Sequence, residues 1–316
     1  MKKMFVILII ISSIILLLPL SVMSKNEETK SVEMSNTSLK VEKEQKDTFN
    51  VLDKQSGKVV KMDVDEYIFS VVAAEMPALY EEEALKAQAV VAYTYFLNKK
   101  EGYGGEYDIT DDFTKDQAFV SLKDAREKWG SGADEYEKKI RKAIRAVSGK
   151  KITYEGKPIL AVYHAISSGK TENVSEVWGG QYPYLVSVDS SFDKNAENYE
   201  SSLTLTAEEL KEKLAAKVSI ADLTVNCFSG FNRTSAGSVK TVSVCGVSLS
   251  GSDIRSALGL RSADFDVSFA DGKYTFTVRG YGHGIGMSQQ GANYLAQQNK
   301  TYEEIINHYY TGCKIE

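Results

Sequence analysis

Hydrophobic and polar positions follow three different rhythms along this chain. The first is an unbroken block. Lys2 and Lys3 are followed by Met4 to Met23, about twenty residues without a charge. A helix needs about 20 apolar residues to span hydrocarbon. A signal peptide pairs a basic start with a shorter apolar core and a small residue at the cut. Residues 1–24 therefore read as an N-terminal membrane anchor, with a signal peptide cut near Val22-Met23-Ser24 as the alternative. Flanking lysines stay on the cytoplasmic side, so the remaining chain is expected outside the cytoplasm. Residues 25–49 are polar and charged, too poor in apolar side chains to fold alone, and read as a tether.

From about residue 50 the rhythm becomes helical. Val64, Ile68, Val71 and Val72 fall at i, i+4, i+7 and i+8, predicting a helix over Asp63 to Glu75 that ends before Pro77. Leu85, Ala89, Ala92 and Phe96 make the stripe of a second helix, from about Glu81 to Asn98, and residues 102–105 a glycine loop. Ala133 to Ser148 repeats the pattern. The rhythm then shortens to that of strands: Lys151–Tyr154, Leu160–His164, Tyr184–Val188, Val239–Val244, Phe265–Phe269 and Tyr274–Val278. Capping boxes at Thr206/Glu209 and Thr301/Glu304 start two later helices. Further helices are expected over Ser252–Leu258 and from Ser288. Without a regular strand–helix alternation, the fold class is α+β, with mixed helices and antiparallel strands. The expected organisation is a core lobe over 50–316, with 193–265 a candidate peripheral lobe beside a substrate groove.

Composition adds limits. The net charge of −5 gives no basic footprint for nucleic acid. Eighteen tyrosines suit sugar faces, and suit ordinary strands equally. Of the three cysteines, Cys227 and Cys245 could pair outside the cytoplasm, leaving Cys313 free. No Cys-x-x-Cys is present to signal structural zinc.

Candidate chemistry begins with Glu75. It shares the apolar face of Val71 and Val72 and sits at a helix end beside a proline break. Partial burial raises a carboxyl pKa, which is what a general acid needs near neutral pH. The same pattern also fits a glutamate at the solvent rim of its helix. Lys86 and Tyr93, seven residues apart, share a face that could hold a sugar or an anion, or simply meet solvent. Gly280-Tyr-Gly-His-Gly-Ile-Gly-Met-Ser-Gln-Gln-Gly-Ala292 lacks both phosphate-loop registers. Its alternate glycines require bent or closely approached backbone. His283 lies among them, as a ligand contact or as a residue shaping the loop. Ser167 follows His164 in a polar turn without a Gly-x-Ser-x-Gly elbow.

Four ordered blocks carry a family resemblance across residues 50–316. They are Val71-Val-Ala-Ala-Glu-Met-Pro77 with Glu83–Val90; Asp111-Asp112 with Gln117-Ala-Phe119; Ser167–Glu172 with Val177-Trp-Gly-Gly180 and Pro183-Tyr-Leu185; and Gly282–Gln289 with Gly291-Ala292 and His308-Tyr-Tyr310. Together they resemble stage II sporulation protein D and the related amidase-enhancer proteins. The resemblance implies a membrane-anchored lytic transglycosylase that cleaves peptidoglycan glycan strands, preferably ones stripped of stem peptides, during engulfment in a sporulating cell. It implies two partners, the amidase stage II sporulation protein P and the membrane scaffold stage II sporulation protein M. Glu75 falls on the family's catalytic glutamate and Lys86 on its important lysine. Tyr93 stands where an arginine is usual. Gln117, Ser167, Ser168, Tyr184, His283, Ser288 and Gln289 become expected substrate contacts. Some relatives hold zinc just before the Gln-Ala-aromatic block. Here Tyr107–Gln117 has neither cysteine nor histidine, so no metal and no cofactor is expected. The rival from another class is a non-catalytic murein binder that stimulates an amidase. A protease or esterase reading lacks a nucleophile motif.

Overall fold

The computed structural model describes residues 48–218 and 227–316. The anchor over 1–24 and the tether up to residue 47 lie outside the described residues. Thr48 and Phe49, assigned above to the tether, already belong to the first strand. Among the described residues no helix is long and apolar enough to cross a membrane.

Strand β1 (Thr48–Leu52) pairs antiparallel with β2 (Val59–Asp63), which runs directly into helix α1 (Val64–Glu75). The Asp63 side chain caps α1 by accepting from the Asp65 and Glu66 amides. Pro77 ends the helix, and Met76 is already extended at φ −121°, ψ 141°. Helix α2 (Glu82–Tyr103) runs past the expected Asn98 and stops at Gly104 in the left-handed region. Ala84, Leu85, Ala87, Ala89, Val90, Val91 and Ala92 are all buried. The middle of α2, from Ala87 to Ala92, is buried on every side, and the helix lies in the first core. Strand β3 (Ile109–Thr110) lies parallel to β1. Helix α3 (Leu122–Trp129) was not read from the pattern, because only Ala125 is buried along it. Helix α4 (Ala133–Ala146) packs Ile140, Ala143 and Ile144 inward.

The next segment pairs more sparsely than its composition suggests. Strand β4 (Ile152–Tyr154) hydrogen-bonds the short β5 (Lys157–Pro158), and only β6 (Tyr163–His164) survives from the expected strand over 160–164. After the single turn of α5 (Val174–Val177), Tyr184–Val188 forms no strand. The Val188 amide is taken by the Thr171 hydroxyl instead of a neighbouring strand.

A second cluster of buried apolar side chains is built by residues 200–279. Strand β7 (Glu200–Thr206) leads through the Thr206 capping box into α6 (Ala207–Leu214). The antiparallel β8 (Phe228–Arg233), β9 (Val239–Val244) and β10 (Val247–Ser250) follow, then α7 (Gly251–Leu258). Strands β11 (Asp264–Ala270) and β12 (Lys273–Arg279) complete it. Because β12 pairs with β11 on one side and β7 on the other, this core runs to Arg279 rather than stopping at 265. Cys227 and Cys245 form a disulfide within it, and Cys313 is free. The described residues nevertheless form one compact unit.

The chain then returns to the first core. Strand β13 (Met287–Ser288) lies parallel to β6, α8 (Gln289–Gln297) starts on the Ser288 cap, and α9 (Tyr302–Tyr309) starts on the Thr301 capping box. Strand β14 (Lys314–Ile315) closes on β4. Helices and antiparallel strands without a wound parallel sheet make the α+β class.

The alternate glycines explain how β13 reaches β6. At Gly286 φ is +72°, and a Cβ there would lie 2.0 Å from the Val162 carbonyl oxygen. At Gly282 φ is +117°, with a Cβ 2.6 Å from the His164 Cβ. Any side chain would force the two segments apart. Gly286→Ala is expected to cost about 1–3 kcal/mol from the backbone conformation alone, before the clash. Urea denaturation measures this directly, and a variant as stable as the parent would show that the segments can separate without penalty.

Candidate active site around Glu75

Glu75 is the last residue of α1 and contributes to the lining of a cleft of about 510 Å³. Met76, Pro77, Leu79, Lys128, Trp129 and Tyr136 line that cleft with it, and Glu75 is its sole carboxylate. One oxygen, Oε1, accepts hydrogen bonds from the Ala118 amide (3.0 Å) and the Tyr163 hydroxyl (3.1 Å). The other, Oε2, faces the Gln289 side-chain amide at 3.4 Å. Burial raises the Glu75 pKa above its ordinary 4.5, and the three donors offset only part of that. With Oε1 holding two donors, the proton of the acid form belongs on Oε2.

The supporting residues come from four distant segments. Gln117 is buried and donates to the Tyr67 hydroxyl and the Ala92 carbonyl, while its own carbonyl lies 3.1 Å from the Tyr163 hydroxyl and shares that single proton with Glu75. Tyr163 thereby bridges Gln117 and Glu75, and burial beside the carboxylate keeps its phenol protonated. Gln289, first residue of α8, also reaches Gln88 on α2 at 3.5 Å. Glu75, Gln117 and Gln289 are thus brought together.

The other sequence candidates lie apart from this cluster. Lys86 is held by Glu83 (2.6 Å) and Glu82 (3.4 Å) on its own helix. Glu83 in turn accepts from the Tyr302 amide at the start of α9. Lys86 is two residues from Gln88, roughly 200° around the helix, so it faces away from the Glu75 cluster. Tyr93 stacks on Phe96 at 6.3 Å. Ser167 and Ser288 are buried and share one acceptor: the Asp193 carboxylate takes the Ser167 amide (2.8 Å), the Ser288 hydroxyl (2.6 Å) and the Ser190 hydroxyl (3.2 Å). Both serines position loops. Tyr184 accepts from the Leu160 amide and lines a different cleft, with Tyr154 and Tyr182. Ser168 lies beside His283, Asp264 and Arg279.

His283 packs its ring on Trp178 at 4.8 Å and near His164 at 5.8 Å. Its Nδ1 accepts from the Ile285 amide. Desolvation, the neighbouring His164 and the Arg255 charge push its pKa down to about 3, so the ring is neutral in the physiological range. A neutral ring with that pKa is a contact, not a proton shuttle. Among the described residues no group of three His, Cys, Asp or Glu side chains could hold a metal ion.

Tyr163 and Gln88 were missed because nothing local marks them. Tyr163 sits in a short β-rich run and Gln88 in a helix whose every face is buried. Asp193 was missed because it lies in an irregular turn.

A lone desolvated carboxylate at a cleft, held by neutral donors, is a candidate acid–base group. Comparison with known proteins places it in a family. Residues 52–154, which contain Glu75, match the family model described as Stage II sporulation protein. The chain is 39% identical over 261 residues to Stage II sporulation protein D of Bacillus amyloliquefaciens, covering 81% of this chain and 75% of that one. Stage II sporulation protein D of Bacillus subtilis (strain 168) is 38% identical over the same shares. The Amidase enhancer of Bacillus subtilis is 28% identical over 299 residues, covering 78% of this chain and 39% of that protein. The chain belongs to the stage II sporulation protein D family, and its role is a sporulation role tied to the cell wall.

The raised Glu75 pKa has a stability consequence. Its folded value exceeds its unfolded value, so its contribution is fully present below pH 4.5 and is lost as pH rises through the folded value. Glu75→Gln is therefore expected to melt at a higher temperature than the parent near pH 8, with the two coinciding near pH 4. Identical melting at both pH values would show that Glu75 carries no desolvation penalty.

Proposed function

We propose that this protein is a lytic transglycosylase that cleaves peptidoglycan glycan strands and leaves 1,6-anhydro-muramyl ends. The observation that carries this reading is Glu75 as the sole carboxylate lining its cleft, desolvated and held by three uncharged donors, the Ala118 amide, the Tyr163 hydroxyl and the Gln289 side-chain amide. A hydrolase of the usual kind uses two carboxylates. A single one suffices when the substrate supplies its own nucleophile. Glu75 Oε2 gives its proton to the glycosidic oxygen as the C1–O bond breaks. The resulting carboxylate then takes the proton of the muramyl C6 hydroxyl. That oxygen closes on C1, and Glu75 ends protonated again, so protons balance without water or metal. The Ala118 amide and Tyr163 hydroxyl stabilise the anionic interval.

In this reading the N-terminal segment anchors the protein in the membrane with residues 48–316 outside the cytoplasm, at the engulfing membrane of a sporulating cell. Glycan strands freed of stem peptides are the preferred substrate. An amidase of the stage II sporulation protein P type supplies them, and stage II sporulation protein M is the membrane scaffold. The named likeness to an amidase enhancer supports a second reading, a murein binder that stimulates an amidase without cleaving glycan.

Incubating the purified full-length protein with peptide-free glycan, amidase absent, separates the two. Mass spectrometry should find anhydro-muramyl ends with the parent and on the order of 10²–10⁴-fold fewer with Glu75→Gln. A folded Glu75→Gln protein that still forms them would remove Glu75 from the role. Tyr163→Phe takes away one donor to the carboxylate. It is expected to slow cleavage roughly tenfold and to move the alkaline limb of the pH–rate profile upward, since that donor holds the Glu75 pKa down. An unmoved limb would show that Tyr163 does not act through Glu75.

A further inference from the structure

Beyond the Glu75 cleft, the glycine-rich loop carries an aromatic and cationic patch. Trp178 is 50% exposed and Tyr281 47% exposed. The Trp178 ring packs on His283, and the Arg261 guanidinium lies over the Tyr281 ring at 4.5 Å. Arg255, on α7, is half-buried, and its charge acts on Tyr281, His283 and His164. Gly259 ends α7 in the left-handed region and turns the chain back, which sets Arg261 and Arg255 around the same tyrosine. The Gly282 amide donates to the Arg261 carbonyl and fixes the loop to that turn.

The two arginines are unusual in this acidic protein. Arg126, Arg141, Arg233 and Arg279 each pair with carboxylates. Among the described residues Arg255 and Arg261 pair with none, although both are half-buried. Glu172 lies under the loop against Gly284, with its carboxyl oxygens buried and its pKa raised by that burial. Half-burying guanidinium without an anion is costly, and planar guanidinium suits carboxylate. Exposed Trp and Tyr faces suit the apolar face of a sugar ring.

We infer that Trp178, Tyr281, Arg255 and Arg261 form a binding site for a sugar that carries a carboxylate. In peptidoglycan that chemistry is a muramyl residue whose lactyl group has lost its stem peptide. An intact strand carries an amide at that position and offers the arginines no anion. The site is tied to the cleft through one residue: the His283 ring reaches the Tyr163 backbone, and the Tyr163 phenol reaches Glu75. This assignment rests on the glycan-directed reading above, and it places recognition of the exposed carboxylate away from the group that cleaves.

The test is binding by the full-length protein in detergent, in the Glu75→Gln background so that no strand is cut. The probes are a peptide-free glycan hexasaccharide and chitohexaose, which has the same length and no carboxylate. The peptide-free glycan is expected to bind about tenfold more tightly, with the advantage shrinking as salt rises. Arg261→Gln and Arg255→Gln should each erase much of that advantage and leave chitohexaose unchanged. Trp178→Ala should weaken both. Equal affinity for the two probes, or an advantage that survives both arginine substitutions, overturns the proposal. The salt dependence is read on unsubstituted arginines, so an Arg255→Gln protein that fails to fold does not shield the idea. Cleavage by the parent with no carboxylate preference would sink this site and leave the catalytic reading standing. A preference without cleavage would do the reverse.

Discussion

The close approach of two backbone segments, 162–172 and 280–288, is the constraint on which the rest of the structure depends. The parallel pairing of β6 with β13 and the bridges Ile166–Tyr281 and Glu172–Ile285 hold them together at separations only glycine permits. One seam sets three things. It turns Tyr163 toward Glu75 and delivers Gln289 to the same carboxylate from the start of α8. It lays His283 against the Tyr163 backbone. It also brings the Ser288 cap onto Asp193, which ties α8 to the turns at 167 and 190. A side chain at any of these glycines would not perturb one contact; it would separate the elements that carry the site.

Glu75 is where stability is given up. A buried carboxylate is costly, and a sequence selected only for stability would place an apolar residue beside Met76 and Trp129. Here burial is partly offset by an amide, a phenol and a carboxamide, all uncharged. Neutral donors are the choice that preserves a high pKa, because a lysine or arginine at the same distance would pull it down. Lys86 illustrates the point. The nearby lysine on α2 is spent on Glu82 and Glu83 and stays off the Glu75 face. The Glu75 pKa therefore stays raised by burial, with the Ala118 amide, Tyr163 and Gln289 offsetting part of it.

Charge is distributed with the opposite logic around the glycine loop. Among the described residues the other half-buried arginines are matched by carboxylates, and Asp193 is surrounded by hydroxyls and an amide. At Arg255 and Arg261 the matching anion is absent from the described chain, and exposed aromatic faces adjoin the gap. In the proposed reading recognition and bond cleavage occur at different points along one glycan strand.

The sequence by itself determined the local events. The ends of α1, the two capping boxes, the strand character of 265–269 and 274–278 and the requirement for bent backbone at 280–286 follow from proline, hydroxyl–glutamate spacing, alternation and glycine, all of which act within a few residues. It also singled out Glu75, since a carboxylate on an apolar helix face beside a break is visible in the chain. The tertiary structure decided what that carboxylate meets. Tyr163, Gln88 and the Ala118 amide have no local signature, because their value arises from packing segments far apart in sequence. The same holds for the demotion of Ser167 and Ser288 to supports of Asp193, and for Lys86 facing away. Residue type announces what a side chain can do, but direction and distance are fixed only when the segments meet, here through a seam of glycines.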